Sequence, residues 1–250
     1  RFFVRNLPCC FILNVIFNYL LIYGFWIFPK LGVTGAALGT VISRILMVVF
    51  MHYLMMHNPV MKKYFKNFTF KEIKKSILKK IVDLGIPSAM QMLFEVTLFT
   101  AAIWLSGSLG KNSQAANQIA LILASSTFMV AMGLSVTAMI RVGHSRGMGD
   151  YKNLIVVARS IFLLAIITEA VFALIFVVFH NFLPHFFLNM HDPAQVLDNA
   201  EIIMITSKLL LIAAIFQISD GIQVVVLGAL RGLQDVKVPM YITFVAYWIV

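Results

Sequence analysis

The sequence predicts an all-α protein, a polytopic bundle of transmembrane helices. Three observations carry that reading. Of 250 residues, 61% are hydrophobic and only 12% are charged, whereas soluble domains sit near ~45–50% apolar. The mean hydropathy is +0.92. The apolar residues also gather in runs of the ~20 residues needed to span a hydrocarbon core of ~30 Å. Finally, the basic residues fall between these runs with a strong bias toward alternate loops. The chain starts at Arg1 without a signal peptide and reads as an internal segment of a longer polytopic chain.

Six runs qualify as complete spans, at 8–28, 33–56, 84–107, 115–140, 154–179 and 202–230, and a seventh starts at Val238. Of the 20 lysines and arginines, 16 lie on one side of the alternating arrangement, and only Lys30 and Lys111 lie on the other. Arg44 and Lys208 fall inside spans. The basic side is expected to be cytoplasmic, which explains a net charge of +10 without nucleic acid as a partner. Cys9 and Cys10 are adjacent, a spacing that disfavours a disulfide, and are read as reduced packing residues.

Taken in order, the second run carries Gly35, Gly39 and Ser43 on one face, the pattern of close helix packing. Residues 58–82 form a basic linker. Thr69 and Glu72 make a capping box there, followed by Phe70, Ile73, Ile77 and Ile81 at helical spacing. That pattern predicts an amphipathic helix on the cytoplasmic leaflet, dividing the chain into 1–57, 58–82 and 83–250. Arg-Gly-x-x-Asp occurs twice, from Arg146 and from Arg231, and reads as a helix stop. Pro8 and Pro239 open similar apolar runs, a faint internal repeat. His180, His185, His191 and Asp192 match no standard zinc spacing. No Gly-rich phosphate loop is present, so this segment holds no nucleotide-driven pump module.

The chemistry lies in three acids inside the spans. Glu95 is 11 residues past Leu84, Glu169 is 10 past Arg159, and Asp220 is 11 before Arg231. Each is therefore roughly 15–17 Å deep, near the bilayer centre. A carboxylate there costs ~2.5–3.5 kcal/mol on an insertion scale and by default marks function. Ser88, Gln91 and Glu95 form one polar stripe, and Gln217, Asp220 and Gln223 another. Glu169 has apolar neighbours, so structural burial outweighs a site role and its neutralisation is expected to be mild.

Four stretches then resemble one family. "NYLLIYGFWIFPKLGVTGAALGTVISR", "LGIPSAMQMLFEVTLF", "AANQIALILASSTFMVAMGLSVTAMIRVG" and "VLGALRGLQDVKVPM" occur in the order and at the spacing of the multidrug and toxic compound extrusion (MATE) transporters, NorM-like branch. The resemblance implies a twelve-helix fold in two six-helix lobes. This chain would span helices five to early eleven: 1–57 would end the amino-terminal lobe, 58–82 would link, and 83–250 would be carboxy-terminal lobe. It assigns Glu95 and Asp220 as the ion-binding pair, Phe99 as a cation–π face, and Asn14 and Asn18 as cavity residues of the other lobe; Gln91 and Gln217 join the pair as the site residues of the two polar stripes. Asn117 stands where a histidine is common, Ala131 where a proline is frequent, and Phe216 where a tyrosine is frequent.

The implied function is a secondary antiporter that is not an enzyme. It exports amphipathic cationic small molecules through a bacterial inner membrane as a monomer, with no cofactor and with Na⁺ or H⁺ as coupling ion. Glu95 and Asp220 would be the Na⁺ ligands if Na⁺ is the ion. The alternatives are a lipid-linked oligosaccharide flippase of the same superfamily and an intramembrane enzyme using the paired carboxylates. The acidic and amide-lined cavity disfavours the first. The lack of a second catalytic group beside the acids disfavours the other.

Overall fold

A computed structural model describes residues 2–24, 30–58, 62, 74–188 and 196–249, with side chains described from residue 12 in the first of these ranges and from 198 in the last. The packing of Cys9 and Cys10, the capping box at Thr69 and Glu72, and His191 and Asp192 therefore lie outside the described residues. The architecture is all-α, and no strand occurs among the described residues. The helices are α1 (Phe2–Tyr23), α2 (Val33–His57), α3 (Lys75–Ser108), α4 (Lys111–Gly147), α5 (Tyr151–Phe179), α6 (Val196–Gly232) and α7 (Lys237–Trp248). Five of them, α2 to α6, are long and apolar enough to cross a membrane. The protein is a multi-pass membrane protein. Side chains such as Ile215, Leu174 and Val178 are exposed around it. In water an apolar patch of that extent would drive association, whereas lipid is as apolar as leucine itself.

The chain divides into two compact units, 1–75 and 76–250. In the first, α1 and α2 pack through the small-residue face foreseen from the sequence. Gly35, Gly39 and Ser43 are buried. A Cβ at Gly35 would overlap the Leu21 carbonyl, and one at Gly39 would overlap the Asn18 side chain. The chain turns between the helices with Gly24 at φ 70° and Gly32 at φ 55°, a region in which glycine alone is unstrained.

In the second unit, α4 and α6 form the most extensive helix pair. Glycine again sets the distance. A Cβ at Gly228 would overlap Ser135, and one at Gly232 would stand 2.6 Å from the Met139 carbonyl oxygen. The Ser135 hydroxyl donates to the Val224 carbonyl at 2.7 Å. Around this pair, α5 completes a core of Ala138, Val142, Ile161, Ala165, Val225 and Ala229. A second cluster of Ala173, Phe176, Leu210 and Ala214 continues it along the bundle.

α3 behaves differently. It is joined to its neighbours by side chains and not by close backbone approach. Asn117 donates to Ser106 at 3.2 Å. Phe94 packs on Phe244 of α7 with ring centroids 5.1 Å apart. Gln91 donates to Thr243 of α7 at 3.1 Å. Aromatic and amide side chains hold α3 off from α4 and α6, whereas glycines draw those two together. The gap is the origin of the cavity described below.

α3 starts ahead of the expected span at 84–107. The helix runs unbroken for 34 residues from Lys75. Residues 75–82, expected to end a separate amphipathic helix, are the first turns of the spanning helix. The physical reason is that Ile77 and Ile81 continue in phase into the apolar run, and nothing between them breaks helical geometry. Pro87 lies inside α3 and is buried.

The two Arg-Gly-x-x-Asp stretches are helix stops, as expected, and they share one geometry. After α4, the amides of Met148, Gly149 and Asp150 bond to the carbonyls of His144, Arg146 and Ser145. After α6, those of Leu233, Gln234 and Asp235 bond to Ala229, Arg231 and Leu230. Both are Schellman caps. Each needs a left-handed residue, which is Gly149 at φ 72° in one case and Gln234 at φ 59° in the other. Asp150 then caps α5, accepting from the Asn153 amide at 3.0 Å.

Candidate functional site

A cavity of about 610 Å³ opens between α3, α4, α5 and α6, within the usual ~300–1,000 Å³ of ligand pockets. Each helix contributes by its periodicity. Glu95, Phe99 and Ile103 recur at spacing four along α3 and face it together. α4 adds Thr127, Phe128 and Met129; α5 adds Glu169; α6 adds Phe216, Gln217, Asp220 and Gly221. All three intramembrane acids therefore line one space.

The cavity is graded in exposure. At its floor, Glu169 is 1% exposed, Gln217 5%, Thr127 6% and Asp220 8%. Thr127 donates to the Gln217 carbonyl oxygen at 3.0 Å, and the Gln217 amide reaches the backbone oxygen of Glu169 at 3.5 Å. At its rim, Glu95 and Phe99 are half-buried, Phe216 is 45% exposed and Met129 is 65% exposed. The Phe99 and Phe216 rings meet edge-on with centroids 6.2 Å apart.

Of the residues singled out in the sequence, Glu95, Asp220, Phe99, Gln217 and Glu169 line this cavity. Gln91 does not. It is 2% exposed, and its amide oxygen accepts from Arg231 Nη2 at 3.1 Å while its nitrogen donates to Thr243. It ties α3 to α6 and α7. Asn117 is likewise occupied with Ser106. Asn14 and Asn18 belong to the first unit, where the Asn18 amide donates to Asn14 at 3.3 Å. Arg44 and Lys208 are exposed on their helices. Among the described residues, no group of three or more His, Cys, Asp or Glu side chains converges as a metal centre.

The sequence reading missed several contributors. Thr127 pairs with a residue 90 positions away. Gly221 makes room for Glu169. Arg231 is a partner of Gln91. The one signal available was the contiguity of Gly221 with Asp220. On α7, Tyr247 accepts from Gln223 at 2.7 Å through its hydroxyl, which leaves Gln223 bonded outside the cavity lining.

Comparison with known proteins bears on what this cavity serves. The family profile MatE matches residues 87–250. The chain is 37% identical over 237 residues to a "Probable multidrug resistance protein NorM" of Agrobacterium fabrum, covering 95% of this chain and 50% of that protein. It is 34% identical over 235 residues to a protein of the same name from Mesorhizobium japonicum, covering 94% and 50%. It is 32% identical over 240 residues to the "Multidrug resistance protein MdtK" of Edwardsiella ictaluri, covering 95% and 50%. The chain spans about half the length of the curated relatives it matches.

Proposed function

The chain belongs to the MatE family, and from that premise we propose that the protein containing it is a secondary antiporter that exports organic cations in exchange for Na⁺ or H⁺. It is a transporter rather than an enzyme, in keeping with relatives named for multidrug resistance. It works as a monomer in a bacterial inner membrane, with the basic loops cytoplasmic and no resident cofactor. The observation that carries the reading is the cavity itself: Glu95 and Asp220 both line it, beside an aromatic rim at Phe99 and Phe216.

The chemistry follows from competition. An ionised carboxylate in this cavity attracts a cation, and a protonated one releases it. Proton or Na⁺ uptake and organic-cation binding therefore exclude one another to the extent that they share carboxylates. Binding drives alternation only if the bound cation favours one arrangement of the protein over the other. The shift cannot exceed the difference in its affinity for the two. The edge-on Phe99–Phe216 pair offers ring faces to a flat cation, worth about 0.5–2 kcal/mol each.

The test is efflux from vesicles holding the full-length protein, under separately imposed Na⁺ and H⁺ gradients. Glu95→Gln and Asp220→Asn are each expected to abolish ion-coupled efflux while leaving the level of inserted protein unchanged. Wild-type transport rates in both variants would refute the assignment.

A further inference from the structure

The stretch "HNFLPHFFL" between α5 and α6 lies apart from the cavity lining. Its histidines match no metal spacing, yet it is dense in phenylalanine, with Phe182, Phe186 and Phe187 following close on Phe179. The structure sorts these residues by side. A 3₁₀ turn, Leu183–Phe186, follows α5. Pro184 is buried, and Leu183 packs on the cluster of Ala173, Phe176, Leu210 and Ala214. The Ser207 hydroxyl of α6 donates to the His180 carbonyl at 3.2 Å. These contacts hold the turn against the bundle and leave the rings outside. Phe182 is 56% exposed and Phe186 71%, and the two meet edge-on with centroids 5.0 Å apart. Phe187 and His185 are exposed beside them.

Two demands bound where such a turn can sit. Its exposed rings disfavour water. Its backbone disfavours hydrocarbon, because irregular backbone leaves amides and carbonyls that lipid tails cannot satisfy. The headgroup region meets both demands: rings sink toward the acyl chains while polar groups stay wet. Asn181 and His185 are the exposed polar groups here. Helix length gives the same depth independently. Phe179 lies 20 residues past Arg159, which is exposed toward the basic end of α5. That is about 30 Å of helix, the thickness of a ~30 Å hydrocarbon core. The turn therefore starts where the core ends. It also continues the lipid-facing surface of α5. Val171, Leu174 and Val178 are exposed at helical spacing, and Phe182 is next in register.

We propose that Phe182, Phe186 and Phe187 form an interfacial anchor, which seats the turn between α5 and α6 in the headgroup region of the leaflet opposite the basic loops. The partner is the lipid surface. The anchor is distinct from the export reading: α5 and α6 both line the cavity, and the anchor fixes the depth of the turn that joins them whatever the cavity carries.

The experiment is spin-label depth measurement on the full-length protein in phosphatidylethanolamine–phosphatidylglycerol vesicles, in a background whose native cysteines are replaced by serine. A nitroxide on Phe186→Cys is exposed in turn to molecular oxygen, which concentrates in lipid, and to the water-soluble chelate nickel–EDDA. Ile167→Cys, exposed near mid-span on α5, is the lipid reference, and Lys152→Cys, exposed before Arg159, is the aqueous one. The ratio of oxygen to nickel collisions at 186 is expected to fall between the two references. Adding Phe182→Ser and Phe187→Ser should shift it toward the aqueous value. A ratio equal to that of Lys152→Cys overturns the anchor, since the turn then stands in water. A ratio equal to that of Ile167→Cys overturns its interfacial depth. An immobile label reached by neither collider also overturns it, because another part of the protein then covers the rings. An unchanged ratio in the serine variant means that the phenylalanines do not hold the turn, and overturns it as well. Should Phe186→Cys fail to fold by elution profile, Phe182→Cys is read by the same criteria, with Phe186→Ser and Phe187→Ser as the added changes.

Discussion

At the scale of single residues, Gln91 shows what a polar stripe can and cannot say. Its spacing from Glu95 put it on the same helix face, and that much was legible, since helical rise and period fix depth and direction. What lies opposite that face was not. One turn along α3 from the cavity, Gln91 meets Arg231 and Thr243, which lie 140 and 152 positions away. Glu169 is buried as expected, but apolar neighbours on α5 gave no sign of the seat made for it by a glycine on α6. Glu95 and Asp220 were singled out by depth together with the polar residues on their own helices. Gln91→Leu should insert and fold but lose about 1–3 kcal/mol, because the buried Thr243 and the half-buried Arg231 each lose a bond. A thermal melt in detergent against the wild type checks this. An unchanged midpoint would mean that water or a neighbour replaces the amide.

At the scale of elements, spans and stops were the most legible part of the chain. Apolar length places a membrane helix with little ambiguity: the expected spans from 33–56 to 202–230 lie on α2 to α6, and the first overlaps α1 at 8–23. The start of α3 was not legible. Amphipathic and spanning segments join in phase there, and period alone cannot say where the bilayer begins. The caps after α4 and α6 carry a different lesson, since one composition signal produced one backbone geometry twice. They differ in strain. Gln234 holds φ 59°, a conformation that costs a side-chain-bearing residue roughly 1–2 kcal/mol. Gln234→Gly should therefore raise stability by about 0.5–1 kcal/mol after the added unfolded-state entropy of glycine is subtracted. Gly149→Ala, in the equivalent place, should lower it. Chemical denaturation of the pair reads both signs, and a gain from Gly149→Ala would contradict the cap geometry.

At the scale of the whole molecule, the long rod α3 fixes a sidedness that can be measured. Its 34 residues extend for about 51 Å, well beyond a ~30 Å hydrocarbon core. A helix of that length that crosses the bilayer has its two ends in opposite aqueous phases. Lys75, Lys79 and Lys80 are exposed at one end, and Lys111 lies just beyond the other. A membrane-impermeant amine reagent should modify the first three from the cytoplasmic face of oriented vesicles and Lys111 from the opposite face, as read by mass spectrometry. Modification of both groups from one side would remove α3 from the spanning set.

The twin corners after α4 and α6 share the same set of amide-to-carbonyl bonds. Cohesion of that kind has no net charge to screen, so it is indifferent to ionic strength and to the headgroups of the surrounding lipid. It also releases the arginine that would otherwise cover the last carbonyls. Arg146 stays in solvent, while Arg231 reaches inward to Gln91. One fastening, made twice, leaves its cation idle at the first corner and employed at the second.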